Sequence, residues 1–243
     1  GDVALFLAVL NGHALELAGD AETDALVERL SARSLDPRQR TALLLARAGL
    51  YRHRQAPDRE VLMLNEALRL AQEHEDALQL GVIHGALGKF HESRDSDRAF
   101  ACYESSVNFF RDAGADHDGG DDSDAAALSA YVTTLVRLAW QYVLRNDPRA
   151  RAVLDAAEAQ ARERRVGADV TGMLEQTWGE YWRRAGELDR AIAAKHRALL
   201  TFERIGDRRS VLVTHLNLIS LYWEAKDYQR AIEAAQPIQL AAS

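Results

Sequence analysis

The chain has 243 residues, 47% of them hydrophobic and 28% charged, which excludes wholesale disorder and leaves ample material for a core. Its formal net charge of −7 excludes a general nucleic-acid binder, whose affinity must come from neutralised phosphates. No stretch approaches the roughly 20 consecutive apolar residues that span a bilayer, so no membrane contact is expected.

The chain opens GDVALFLAV, without Met, without a secretory pattern and at once in apolar periodicity, and so reads as a piece of a larger protein. A helix is expected at 2–18 and another at 22–33. Asp36-Pro37 and Ala56-Pro57 put proline at the first position of helices at 37–54 and 57–73. Helices follow at 76–92 and 95–112. The second of these carries the single cysteine, Cys102, between Phe100 and Tyr103, where it reads as a small packing residue. One cysteine forms no internal disulfide, which fits a reducing cytosol. An acidic, Gly-rich insert at 112–123 comes next; its aspartates lack the order and distal Glu of a calcium loop, and it reads as a solvated loop. Beyond it, helices are expected at 124–145, 148–164 (again opened by Asp-Pro), 168–185, 187–205, 208–224 and 227–240. Ala, Leu, Arg and Glu dominate, four prolines interrupt, and no strand-like alternation occurs. The fold class is all-α. Only Lys89, Lys195 and Lys226 represent lysine among 30 basic residues, a skew that points to a GC-rich bacterial genome.

Self-similarity organises these helices. "RAGLY" (47–51), "LGKFH" (87–91), "LAWQY" (138–142), "WGEYW" (178–182) and "LISLY" (218–222) align, each ending on an aromatic or His. The landmarks Tyr51, His91, Tyr142, Trp182 and Tyr222 are spaced 40, 51, 40 and 40 residues apart, and the acidic insert accounts for the one surplus. Downstream of the last four comes a polar turn and a small residue opening a second helix: "ESRDSDRAF", "LRNDPRARA", "RAGELDRAI", "EAKDYQRAI". A helix–turn–helix unit of this size cannot bury its apolar stripes alone, so about six pairs must stack into one array over 1–243. Trp178 and Trp182 then fill seam positions of the core, and Gly179 lets the paired helix approach.

These residues resemble the tetratricopeptide repeat (TPR) family, whose first helix carries W-x2-L-G-x2-Y and whose second carries small residues around an aromatic. Trp178-Gly179 and Trp182 fill the L-G…Y places, and Ala191 and Ala198 the small positions; Lys195 stands where the family usually has the aromatic. Units near 40 residues resemble the longer TPR variety of bacterial signalling proteins. The resemblance implies a right-handed superhelical solenoid whose first helices line a groove for a peptide or partner helix. Family-equivalent groove positions are Arg52, Lys89, Arg137, Trp140, Glu180, Arg183, Asn217 and Trp223. Trp140 and Trp223 lie one residue beyond seam positions, so each is either exposed in the groove or packed on a neighbouring unit. Asn217 precedes its unit's L-I-x2-Y as an asparagine that bonds ligand backbone often does; the repeated Asn ladder and the carboxylate clamp of chaperone-binding relatives are absent.

No catalytic constellation is visible. The eight histidines are scattered, with His84 and His91 seven apart on one helix and read as packed core residues. There is no HExxH, no Gly-rich phosphate loop and no GxSxG, and the carboxylates sit among arginines as surface pairs. The expectation is a non-enzymatic, cytoplasmic module without cofactor or metal, which binds a protein or peptide in a bacterial signalling or regulatory protein. The alternatives are a small-ligand or signalling-peptide sensor of a transcriptional activator, and a homo-oligomerisation module. For the last, Ile232, Ile238 and Leu240 mark an uncapped end suited to a dimer.

Overall fold

The computed structural model describes residues 21–114, 125–163 and 166–242, and every regular element among them is a helix. In chain order these are α1 (Ala21–Ser31), α2 (Pro37–His53), α3 (Pro57–Glu73), α4 (Ala77–His91), α5 (Ser96–Asp112), α6 (Ala125–Leu144), α7 (Ala150–Glu163), α8 (Ala168–Arg184), α9 (Leu188–Ile205), α10 (Arg208–Glu224) and α11 (Tyr228–Ala242). Each boundary falls within two residues of its expected place. The expected helix at 2–18, residues 115–123 of the acidic insert and the side chain of Leu240 lie outside the described residues.

One start is later than expected by two residues. Pro148 sits in a turn and α7 begins at Ala150. The Asp147 carboxylate accepts from the Arg149 main-chain N–H (2.9 Å) and from its guanidinium at Nε (3.0 Å) and Nη2 (2.8 Å), which holds this segment outside the helix. Elsewhere aspartate caps as expected. Asp36 and Gln39 form a reciprocal capping box at the head of α2, and Asp76, Asp95 and Asp207 accept first-turn N–H groups of α4, α5 and α10.

The repeat has a backbone signature. The carbonyls of Tyr51, Tyr142, Trp182 and Tyr222 each accept from the N–H five residues on, at 2.9, 3.0, 2.9 and 2.9 Å. Four residues after each landmark, Gln55, Asn146, Gly186 and Lys226 adopt left-handed backbone, with φ of 55, 52, 80 and 61°. This is the Schellman closure of a helix, repeated in register. His91 departs from it: Arg94 and Asp95 both donate to its carbonyl, and the turn is one residue shorter.

The chain forms two compact units, residues 1–127 and 128–243. In the first, each pair packs on its own turn, α2 on α3 and α4 on α5, and α3 on α4 joins the pairs. One apolar cluster runs from Leu44 and Ala48 on α2 through Leu64 and Ala67 on α3 to Ile83 and Phe90 on α4, with Cys102 and Phe109 of α5 against it. A smaller one joins Val27 and Leu30 of α1 to Leu43 and Leu50 of α2. Glycine allows the closest crossing: a Cβ on Gly88 would lie 2.5–2.8 Å from ring atoms of the fully buried Tyr103. Cys102 is half-buried, and burial pushes its thiol pKa up, as a packing residue requires.

In the second unit α8 packs on α9 and α10 on α11, with α9 against α10. Leu199, Leu218, Tyr222 and Ala231 make a core cluster there, with Ile192 packed against it. No helix among the described residues is long and apolar enough to cross a membrane.

Candidate functional site

The aromatic cluster in the last two turns of α8 is largely engaged by its own chain. Trp178 is buried and Trp182 half-buried, stacked at 5.6 Å with 14° between planes, and Tyr181 sits edge-on to both. Arg151 of α7 covers both indoles at 4.9 and 5.3 Å, and Arg190 of α9 lies 4.7 Å from the Trp182 ring centre. The two cation–π faces that would suit a ligand are thus occupied by arginines. Trp178 is core, whereas Trp182 keeps part of its ring at the surface because guanidinium groups, not apolar side chains, close over it.

Glu180, Arg183 and Asn217 come together on the face formed by α8 and α10. Glu180 accepts from Arg183 (2.7 Å) and Arg184 (2.8 Å), and Arg183 Nη1 reaches Glu224 on α10 at 3.1 Å. Burial raises the Glu180 carboxyl pKa, but the two arginine bonds outweigh it and hold it below the usual carboxylate range. The bonds to Glu180 hold the Arg183 guanidinium pKa well above normal. Two carboxylates against two arginines leave this cluster electrically balanced. Arg184 Nη1 also donates to Asn146 Oδ1 (3.0 Å), which ties α8 to the turn after α6.

Beside these ion pairs runs a hydrogen-bonded ladder that the sequence reading missed. Asn217 Nδ2 donates to Gln176 Oε1 at 3.4 Å, so the side chain expected to meet ligand backbone is engaged within the protein. Gln176 Nε2 donates to Thr214 Oγ1, whose hydroxyl donates to the Ser210 carbonyl at 2.6 Å. Gln176 also receives Lys195: Nζ donates to its main-chain carbonyl at 2.8 Å and to Oε1 at 2.5 Å. Lys195 is only 3% exposed, its methylene stem fills the notch over Gly179, and burial pushes its pKa down to about 8 despite the attraction of Glu180. The signal in the sequence was its polarity at the aromatic place of the repeat.

The remaining candidates are distributed. Trp223 is 66% exposed on α10, edge-on to Tyr228 at 5.0 Å, while Arg137 and Trp140 are half-buried on α6. In the first unit, Arg52 Nε binds the buried Glu60 at 2.6 Å, and Lys89 is exposed, its charge helping, after burial, to lower the pKa of His53. His84 stacks on Phe109 at 5.1 Å and His91 sits edge-on to Phe90 at 5.1 Å; burial lowers the pKa of both rings. A pocket of about 240 Å³ lies between α1, α2 and α3, lined by Asp24, Glu28, Arg47, Tyr51, Arg54 and Arg59. It is smaller than the roughly 300–1,000 Å³ of small-molecule sites, and the Arg54–Asp24 ion pair (2.9 Å) spans two of its walls.

Neither a protein-family model nor a curated protein sequence matches the chain. Among solved structures, that of BtubC (BKLC) from P. vanneervenii aligns with 100% of this chain and 92% of its own, with a TM-score of 0.65 at 20% identity. The likeness is one of fold, carried by the whole succession of helices.

Proposed function

We propose that this chain is a protein- or peptide-binding scaffold or sensor module of the TPR class, a right-handed superhelical array serving a bacterial signalling or regulatory protein in the cytoplasm. Its ligand lies along the face made by the first helices α8 and α10. One observation carries the reading. The directional side chains of that face (Gln176, Glu180, Arg183, Asn217) are held in fixed geometry by bonds to one another rather than left to solvent. Preorganised donors and acceptors lose little entropy on binding, which is what recognition of an extended backbone demands. Because the ion pairs are balanced, the favoured ligand is a peptide met through main-chain hydrogen bonds, not a strongly acidic or basic tail. Lys195, packed beneath, fixes Gln176 and through it the ladder.

A randomised peptide library panned on the chain provides the test, followed by titration of the enriched peptide. Arg183→Ala and Asn217→Ala should each weaken binding by about tenfold, the worth of one lost hydrogen bond to a charged or buried group. If Arg183→Ala and Asn217→Ala both bind the peptide as the parent does, the face is misassigned.

A further inference from the structure

The pocket between α1, α2 and α3 lies wholly within the first unit and holds more cation than its own carboxylates neutralise. Arg47, Arg54 and Arg59 face it against Asp24 and Glu28, a surplus of one positive charge. Asp24 is committed to Arg54 at 2.9 Å, and that pair ties the end of α2 to α1, which sets the separation of the walls independently of any ligand. Arg47 is half-buried, yet among the described residues its guanidinium has neither an ion pair nor a hydrogen bond. Partial burial removes part of its hydration, and no protein group replaces it. Arg59 of α3 stands over the Tyr51 ring, 5.7 Å from its centre. The rest of the lining is apolar: Val27 and Leu50, both buried, beside the half-buried Tyr51.

Size, charge and lining together specify an occupant. A volume of about 240 Å³ admits one small group rather than a drug-sized molecule. A surplus of one charge asks for a monoanion, because a dianion such as phosphate would bring its second charge against Glu28 and Asp24. The planar guanidinium fork matches a carboxylate with two parallel hydrogen bonds, and an apolar lining suits a hydrocarbon body. We propose that this pocket binds a small organic monocarboxylate, its carboxylate on Arg47 with Arg59 as the second cation, its body against Val27, Leu50 and Tyr51. A free acid and a carboxylate on a partner chain present the same group to it. No residue of α8 or α10 takes part, so the site stands whether or not those helices bind a peptide.

Amide NMR of the full chain titrated with benzoate tests it, with benzamide as the uncharged isostere and inorganic phosphate as the dianion. Benzoate should shift amides of residues 24–28, 47–54 and 59, and neither control should. Arg47→Ala should weaken benzoate by about tenfold, and Arg47→Lys, which keeps the charge and loses the fork, by less. Glu28→Gln removes a like charge at an exposed position and should tighten binding about twofold without touching the fold. An N-acetylated tripeptide ending in a free phenylalanine carboxylate separates the sources: if it binds as benzoate does, the site takes a chain end, and if benzoate alone binds, it takes a free acid. Shifts that benzamide reproduces, or a preference for phosphate, overturn the proposal. So does equal affinity of the parent, Arg47→Ala and Glu28→Gln, or the absence of any benzoate shift at these amides.

Discussion

Lys195 lies across Gly179, its stem where a Cβ on that glycine would meet it at 2.7–3.0 Å, and its ammonium bonded to Gln176. A buried lysine with its pKa lowered from 10.5 to about 8 has a defined pH signature. Below about pH 8 the folded chain carries the full desolvation cost of the charged form. Between pH 8 and 10.5 the unfolded chain holds the proton and the folded chain does not, so this residue's contribution to stability rises with pH. The total rise is on the order of 3 kcal/mol. Lys195→Met, which keeps the stem and removes the charge, should abolish that rise. Denaturant unfolding of both chains across this range measures the difference, and parallel pH profiles would count against the assignment.

Lys226 occupies a left-handed position at φ 61° that Gly186 fills one repeat earlier at φ 80°. A Cβ is penalised there, whereas glycine is not. Lys226→Gly should stabilise the chain by about 1 kcal/mol, and Gly186→Lys should destabilise it by a similar amount. Chemical denaturation of the two single variants reads both signs.

Arg52 is a groove candidate by register, but its partner is the 3%-exposed Glu60 at 2.6 Å. Arg52→Ala leaves a buried carboxylate without this partner, at a cost of about 2 kcal/mol once the partial exposure of the arginine is allowed for. Replacing both members, Arg52→Ala with Glu60→Leu, should recover most of that loss. If the double variant is no more stable than the single, the pair is not what holds this corner of the unit.

Gly88 lies against the ring of Tyr103, whose hydroxyl donates to Glu92 Oε1 at 2.6 Å and so resists displacement. Gly88→Ala should therefore overpack the seam and destabilise the chain by about 1–3 kcal/mol despite the better helix propensity of alanine. An unchanged or raised melting temperature would show that the α4–α5 crossing yields.

The helices and their register were legible because both rest on local chemistry: aspartate and proline at starts, a landmark aromatic before each turn, and apolar spacing between. The left-handed residues recur four after each of four landmarks, where only Asn146 and Gly186 are of types that favour this backbone. What stayed hidden depends on partners distant in sequence. Asn217 reads as a ligand contact until Gln176, on another helix, is placed beside it. Trp182 reads as core until Arg151 and Arg190 are seen to cover it. The start of α7 moved because Arg149 captures Asp147, a competition between side chain and helix that no propensity encodes.

Hydrogen–deuterium exchange of the chain with and without its selected peptide tests the central claim most directly. Binding along the face of α8 and α10 predicts added protection of amides in 168–184 and 208–224, with 188–205 and 228–242 little changed. Protection confined to the second helices, or to the turns between pairs, would contradict the assignment of that face as the binding surface.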